Sequence, residues 1–178
     1  MEIWMIACQA FWFIAVAYAA NGFAPLMKGK KPLDHGKMLG RYRLFGDGKT
    51  FEGSFGGFFF GVFVGLILLY FQNDLQNIAA SYGFSLPNLN IYIIILLSIG
   101  AIAGDIVGAF IKRRLGIPRG SPAPLLDQLD FITGALLLCS LVYLPSLEII
   151  IFLYIATPII HWLANILGYI IKVKQTPW

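Results

Sequence analysis

The sequence predicts an all-α integral membrane protein with about five transmembrane helices, its N-terminus outside and its C-terminus cytoplasmic. Three observations lead there. Of 178 residues, 58% are hydrophobic and only 12% charged, against about a quarter charged in a soluble domain. The apolar residues come in long runs near the ~20 residues that cross ~30 Å of hydrocarbon. All 13 basic residues lie in three segments, which five spans put on one side, and the positive-inside bias makes that side cytoplasmic.

The runs are Ile3–Met27, Phe55–Phe71, Ile91–Ile111, Leu126–Tyr143 and Leu147–Ile171. The first contains Ala17-Tyr18-Ala19, which resembles a cleavage site, but Glu2 and the absence of Lys or Arg before it favour a retained span. The second carries Gly57, Gly61 and Gly65. That small-residue stripe suits either close helix packing or a slot for a lipid chain. The third holds Asp105 and ends at Lys112-Arg113-Arg114, with stop signals at Gly116 and Pro118. The fourth opens with Asp127 and Asp130, and the fifth contains Pro158, His161 and Asn165.

Lys28, Lys30, Lys31, Lys37, Arg41, Arg43 and Lys49 fill the first loop, and Arg119 joins the third. Lys172 and Lys174 follow the fifth run, while Gln72–Asn90 and Leu144–Ser146 contain no basic residue. Trp4, Tyr143 and Trp178 fit interfacial anchoring. Cys8 and Cys139 both lie in apolar runs and read as small hydrophobes. The net charge of +4 does not indicate a nucleic-acid partner, because the cations flank spans and suit anionic lipid. No internal repeat or soluble domain is visible, so residues 1–178 read as a single membrane domain.

Asp105 is the sharpest single residue. It lies seven residues before Lys112, ~10 Å along a helix, and a charged Asp at mid-bilayer costs roughly 2.5–3.5 kcal/mol. A cation, a metal, a wet cavity or a polar contact between helices would offset that cost. Gly108 and Ala101 share its face and would let a neighbour approach. Lys112, Arg113 and Arg114 suit a helix C-terminus on electrostatic grounds, and Asp127 and Asp130 suit an N-terminus. Three apart on a helix, these two carboxylates share a face. Their common location with Asp105 suggests Mg²⁺ held by carboxylates and substrate phosphates.

Gly46-Asp47-Gly48-Lys49-Thr50 resembles the end of a P-loop, but Arg43 stands where Walker A needs glycine. A Gly-rich turn can still hold phosphate oxygens on its N–H groups, or be an ordinary turn. His161 and Asn165, four apart, suit an interhelical hydrogen bond, and Asn21 is similar.

The order Asp105, Lys112-Arg113, Asp127-x-x-Asp130 resembles the signature of CDP-diacylglycerol synthases, and more closely that of their smaller archaeal relatives, the CDP-archaeol synthases. The resemblance is also carried by Asn21 with Pro25, Leu33-Asp34-His35-Gly36-Lys37, Arg41, Gly46–Thr50, His161, Asn165 and Pro177-Trp178. After Lys49-Thr50 an aromatic and then a basic residue is expected, but Phe51-Glu52 stands there, which leaves the role of Glu52 open.

The resemblance implies a Mg²⁺-dependent reaction of CTP with 2,3-bis-O-geranylgeranylglycerol 1-phosphate, giving a CDP-lipid and pyrophosphate. It implies that Asp105, Asp127 and Asp130 bind metal and act catalytically with Lys112. Lys112, Arg113 and Arg119 would hold phosphates, and Asp47, Lys49 and Thr50 would approach the nucleotide. Asn21, Lys37 and Arg41 are further candidates for nucleotide or phosphate, with His161 and Asn165 as outer candidates. Cytoplasmic loops at about 28–54 and 113–125 would form the nucleotide-facing part. A CTP-dependent polyprenol kinase and, outside enzymes, a small cation or lipid transporter are the alternatives. A CDP-alcohol phosphotransferase is disfavoured, because its DxxDGxxAR…GxxxDxxxD motif is absent. A homodimer is left open.

Overall fold

The structure is a computed structural model describing residues 2–172. Lys174 and Pro177-Trp178, with the interfacial role expected of Trp178, lie outside the described residues. Five helices form the bundle: α1 (Ile3–Phe23), α2 (Phe51–Ser81), α3 (Ile91–Arg114), α4 (Leu126–Cys139) and α5 (Leu147–Ile170). A short 3-10 turn, Ala24–Met27, extends α1. The loop that follows contains an antiparallel two-stranded hairpin, β1 (Met38–Leu39) and β2 (Tyr42–Arg43).

The helix ends have local causes. Thr50 caps α2 by accepting the Gly53 N–H at 3.1 Å, and Asn90 caps α3 by accepting that of Ile93 at 3.0 Å. Glu52 sits in the first turn of α2 and accepts the Lys31 N–H at 3.2 Å. Position 52 therefore ties the base of the loop to the helix N-terminus. After α3, Gly116 adopts a φ of +71°, and the Ile117 N–H returns to the Lys112 carbonyl at 2.9 Å. That closure turns the chain back towards α4.

Two elements differ from the expected runs. α2 has 31 residues, about 46 Å, because no breaker follows Phe71 until Gly83 at φ +81°. Its polar end is used: Gln72 and Gln76 accept the N–H groups of Leu89 and Leu86 at 2.6 and 2.8 Å. α4 is shorter than expected, 14 residues or ~21 Å. Among the described residues, four helices, counting α1 with its 3-10 turn, are long and apolar enough to cross a membrane, and α4 is not among them.

Glycine determines how closely α3 and α4 pack. A Cβ on Gly100 would stand 2.5 Å from the Gly134 carbonyl oxygen, one on Gly104 would strike the Asp130 backbone, and one on Gly108 would strike the Asp130 carboxylate. The two helices meet backbone to backbone, and that register brings Asp130 beside the face carrying Asp105. Gly57, Gly61 and Gly65 of α2 are likewise filled by Ala20, Ser98 and Ile94. They are packing glycines, not a lipid slot. The opposite side of α2 presents Phe55, Phe59 and Phe63 outward, an apolar surface that only a bilayer solvates without aggregation. Gly104→Ala is expected to lower thermal stability by about 1–3 kcal/mol through overpacking. Gly22→Ala, with nothing within 4 Å of its Cβ, leaves it level or raised in the same melting experiment.

Candidate active site

The C-terminal half of α3, the start of α4 and the two loops enclose a polar cavity of about 150 Å³. The first loop contributes Phe45, Gly48 and Lys49, and α3 contributes Asp105, Lys112 and Arg113. Arg119 enters from the loop before α4, and Asp127 and Asp130 from α4 itself. All three expected carboxylates thus line one cavity, with four cations around them.

Two of the carboxylates are paired with lysines. Lys49 Nζ lies 2.5 Å from Asp105 Oδ2, a contact across 56 residues of sequence. This pairing supplies the offset that an intramembrane Asp requires. Lys112 Nζ donates to both oxygens of Asp127 and to the Ser121 carbonyl, each at 2.8 Å. Asp127 also accepts the Ala123 N–H at 2.9 Å, which holds the incoming loop against its own helix. Asp130 accepts the Phe131 N–H at 2.6 Å and packs on Gly108. Arg113 presents a buried Nε with no hydrogen-bond partner.

Among the described residues, no three His, Cys, Asp or Glu side chains form a ready-made metal cluster. The donors are nonetheless hard oxygens of the type Mg²⁺ takes, and Mg²⁺ needs only one or two carboxylates when phosphates and water complete the shell. The donor chemistry fits that ion once the lysines move aside.

A second, larger cavity of about 460 Å³ lies on the outer face of the α3–α4 pair, lined by residues such as Val107, Ile111, Leu129 and Leu137. Asp130 lines both cavities. A polar pocket and an apolar groove therefore meet at one carboxylate.

The other expected residues stand apart from the polar cavity. Lys37 and Arg41 are exposed on the hairpin segment. Asn21 is half-buried near the end of α1, and Thr50 is engaged as the α2 cap. Asp47 sits at the rim, 2.8 Å from Arg43 Nη1 and 4.0 Å from Arg119 Nη1. His161 and Asn165 face each other along α5 at 3.3 Å and do not line the cavity.

Three organising residues lie outside the expected set: Asp34, Arg43 and Arg114. Asp34 is buried, accepts the Gly36, Phe45 and Gly46 N–H groups at 2.9–3.1 Å, and binds Arg43 Nη2 at 2.5 Å. One legible signal existed. Asp two residues before Gly, after a Pro, is the signature of an Asx turn.

Comparison with known proteins places this geometry in context. The chain matches the CarS-like family model, described as CDP-archaeol synthase, over residues 3–178. It is 45% identical to the CDP-archaeol synthase of Methanopyrus kandleri, covering 98% of this chain and 95% of that protein. It is 43% identical to that of Pyrococcus abyssi, covering 96% and 97%. A solved structure of an intramembrane enzyme for archaeal membrane lipids biosynthesis superposes with a TM-score of 0.74 at 36% identity, over 89% of this chain and 94% of that one. With a match across nearly its whole length, relatives above 40% identity and a shared helical fold, this chain belongs to the CDP-archaeol synthase family.

Proposed function

We propose that this protein transfers CMP from CTP to the phosphate of an isoprenoid glycerol ether lipid, releasing pyrophosphate. The lipid phosphate oxygen attacks the α-phosphorus of CTP. The bond from that phosphorus to the bridging oxygen breaks, and pyrophosphate leaves with the electron pair. The substrate supplies the nucleophile, so no Ser or Cys is required. Positioning and charge neutralisation are the main requirements.

The observation that carries the reading is the junction at Asp130 of a charged pocket with an apolar groove. The pocket suits a triphosphate, and the groove suits a prenyl chain whose phosphate must reach it. Arg113 and Arg119 are the cations not paired with a lining carboxylate and would receive phosphates first. Lys49 and Lys112 would leave Asp105 and Asp127 for the phosphates. Asp105, Asp127 and Asp130 would hold Mg²⁺, which when bound polarises phosphoryl oxygens and offsets charge on the leaving pyrophosphate. The basic first loop and the basic end of α3 with its following loop, which border the cavity, favour a cytoplasmic-facing site in the cell membrane, where soluble nucleotide meets membrane lipid.

Purified protein given CTP and Mg²⁺, with ether and ester lipid phosphates in parallel, should release pyrophosphate and form the CDP-lipid, faster with the ether lipid. Release of CDP from CTP, with a polyprenol taking the γ-phosphoryl group, would instead mark a kinase. Cation flux across vesicles without nucleotide consumption would mark a transporter.

A further inference from the structure

We propose that Asp34 and Arg114, neither of which lines the cavity, are positioning residues that hold the nucleotide-facing turn at residues 45–49 over the active site. The proposal rests on the cytidylyltransferase reading for its substrate but on the loop's own geometry for its residues.

The turn supplies Phe45, Gly48 and Lys49 to the cavity, yet it belongs to a 23-residue connection with only a two-residue-per-strand hairpin. Such a segment has little regular structure of its own to fix it. Two anchors do. From within the loop, the Asp34 carboxylate gathers the N–H groups of Gly36, Phe45 and Gly46 and the Arg43 guanidinium. From α3, Arg114 donates through Nη1 to the Leu39 carbonyl and through Nη2 to that of Arg43, both at 2.7 Å. Its guanidinium also lies 5.1 Å from the Phe110 ring centre.

The two anchors share Arg43, whose side chain binds Asp34 while its carbonyl accepts from Arg114. Arg43 also reaches Asp47, which faces Arg119 of the neighbouring loop. A chain of charge-assisted contacts thus runs from a buried carboxylate outside the cavity to a cation lining it. Arg114 comes directly after Arg113 and two residues after Lys112. One helix end therefore sends two cations into the site and one to the loop that covers it.

The Arg43 guanidinium, aided by the three N–H groups, holds the Asp34 carboxyl well below the usual carboxylate range. A value depressed by folding gives stabilisation that is complete above the unfolded value, about 4, and is lost only as pH falls towards the lower folded one. Between pH 5 and 8 the anchor is constant, so substitutions at Asp34 act equally across that range.

The test compares Asp34→Asn and Arg114→Met with the parent protein in nanodiscs. Both are expected to raise KM for CTP about 10-fold or more, while KM for the lipid phosphate and the helix content stay at parent values. A loop that binds nucleotide alike in ground and transition states changes KM rather than kcat. Trypsin is expected to cut after Lys37, Arg41 or Lys49 faster in both variants, and saturating CTP to slow the cut in the parent. Two folded variants with the parent KM for CTP and parent cleavage rates would overturn the proposal. If the parent released no pyrophosphate, the cytidylyltransferase reading would fail while the cleavage rates still decided whether these residues anchor the loop.

Discussion

Asp127→Asn is expected to reduce pyrophosphate release at least 100-fold, with helix content and lipid reconstitution unchanged. Asp127 is the most heavily engaged acid of the cavity. It takes both of its oxygens to Lys112 and one to the Ala123 N–H. An amide keeps the size and one acceptor oxygen. It loses the charge that would hold a dication and restrain Lys112. Loss of one preorganised electrostatic group at a reacting phosphate costs on the order of 10²–10³ in rate. Asp130→Asn should behave similarly. Parent-level turnover in either variant, measured with coupled pyrophosphate detection at saturating Mg²⁺, would remove these residues from the chemistry.

The second large effect concerns metal binding without nucleotide. Lys112 covers both Asp127 oxygens and Lys49 covers Asp105. A dication arriving alone competes with two ammonium groups for the same lone pairs. At an effective dielectric near 20, a unit positive charge ~4 Å from such an ion costs several kcal/mol of repulsion. Arriving with a triphosphate, the ion meets less opposition, because the lysines have phosphate oxygens to move to.

Mn²⁺, followed by the loss of its free-ion paramagnetic signal, should therefore bind the parent weakly alone and tightly with CTP. Lys112→Met should bind Mn²⁺ alone at least 10-fold more tightly than the parent, about 1.4 kcal/mol, while losing CTP turnover. A Lys112→Met variant with unchanged or weaker metal affinity would show that the Lys112–Asp127 contact does not guard the proposed dication site.

Much of this site was legible in the chain. Asp105 declared itself by cost, since a carboxylate in an apolar run needs a partner. Asp127 and Asp130 were legible by their shared helical face, and Lys112 and Arg113 by their place at a helix end. Which cation meets which acid was not. Lys49 and Asp105 lie 56 residues apart, and no local pattern pairs them. Lys37 and Arg41 were further candidates beside Lys49 in the sequence, yet the hairpin segment leaves them exposed while the next turn inserts Lys49 into the cavity. Asp34 counted towards the family resemblance but was given no role of its own, because its partners are mostly backbone N–H groups, and backbone groups leave no trace in side-chain pattern.

The sequence by itself determined the medium and the inventory. Run lengths and low charge require a bilayer, and the placement of the basic residues gathers the chemistry at one end of the bundle. Hydrophobic transfer is additive and local, so a one-dimensional pattern suffices to state it. The tertiary structure alone decided that α3 and α4 touch backbone to backbone through Gly100, Gly104 and Gly134. It alone brought Asp130 to the wall between a charged pocket and an apolar groove. Close packing and ion pairing depend on distances of a few ångströms between segments far apart in the chain, and those distances exist only after the helices have found one another.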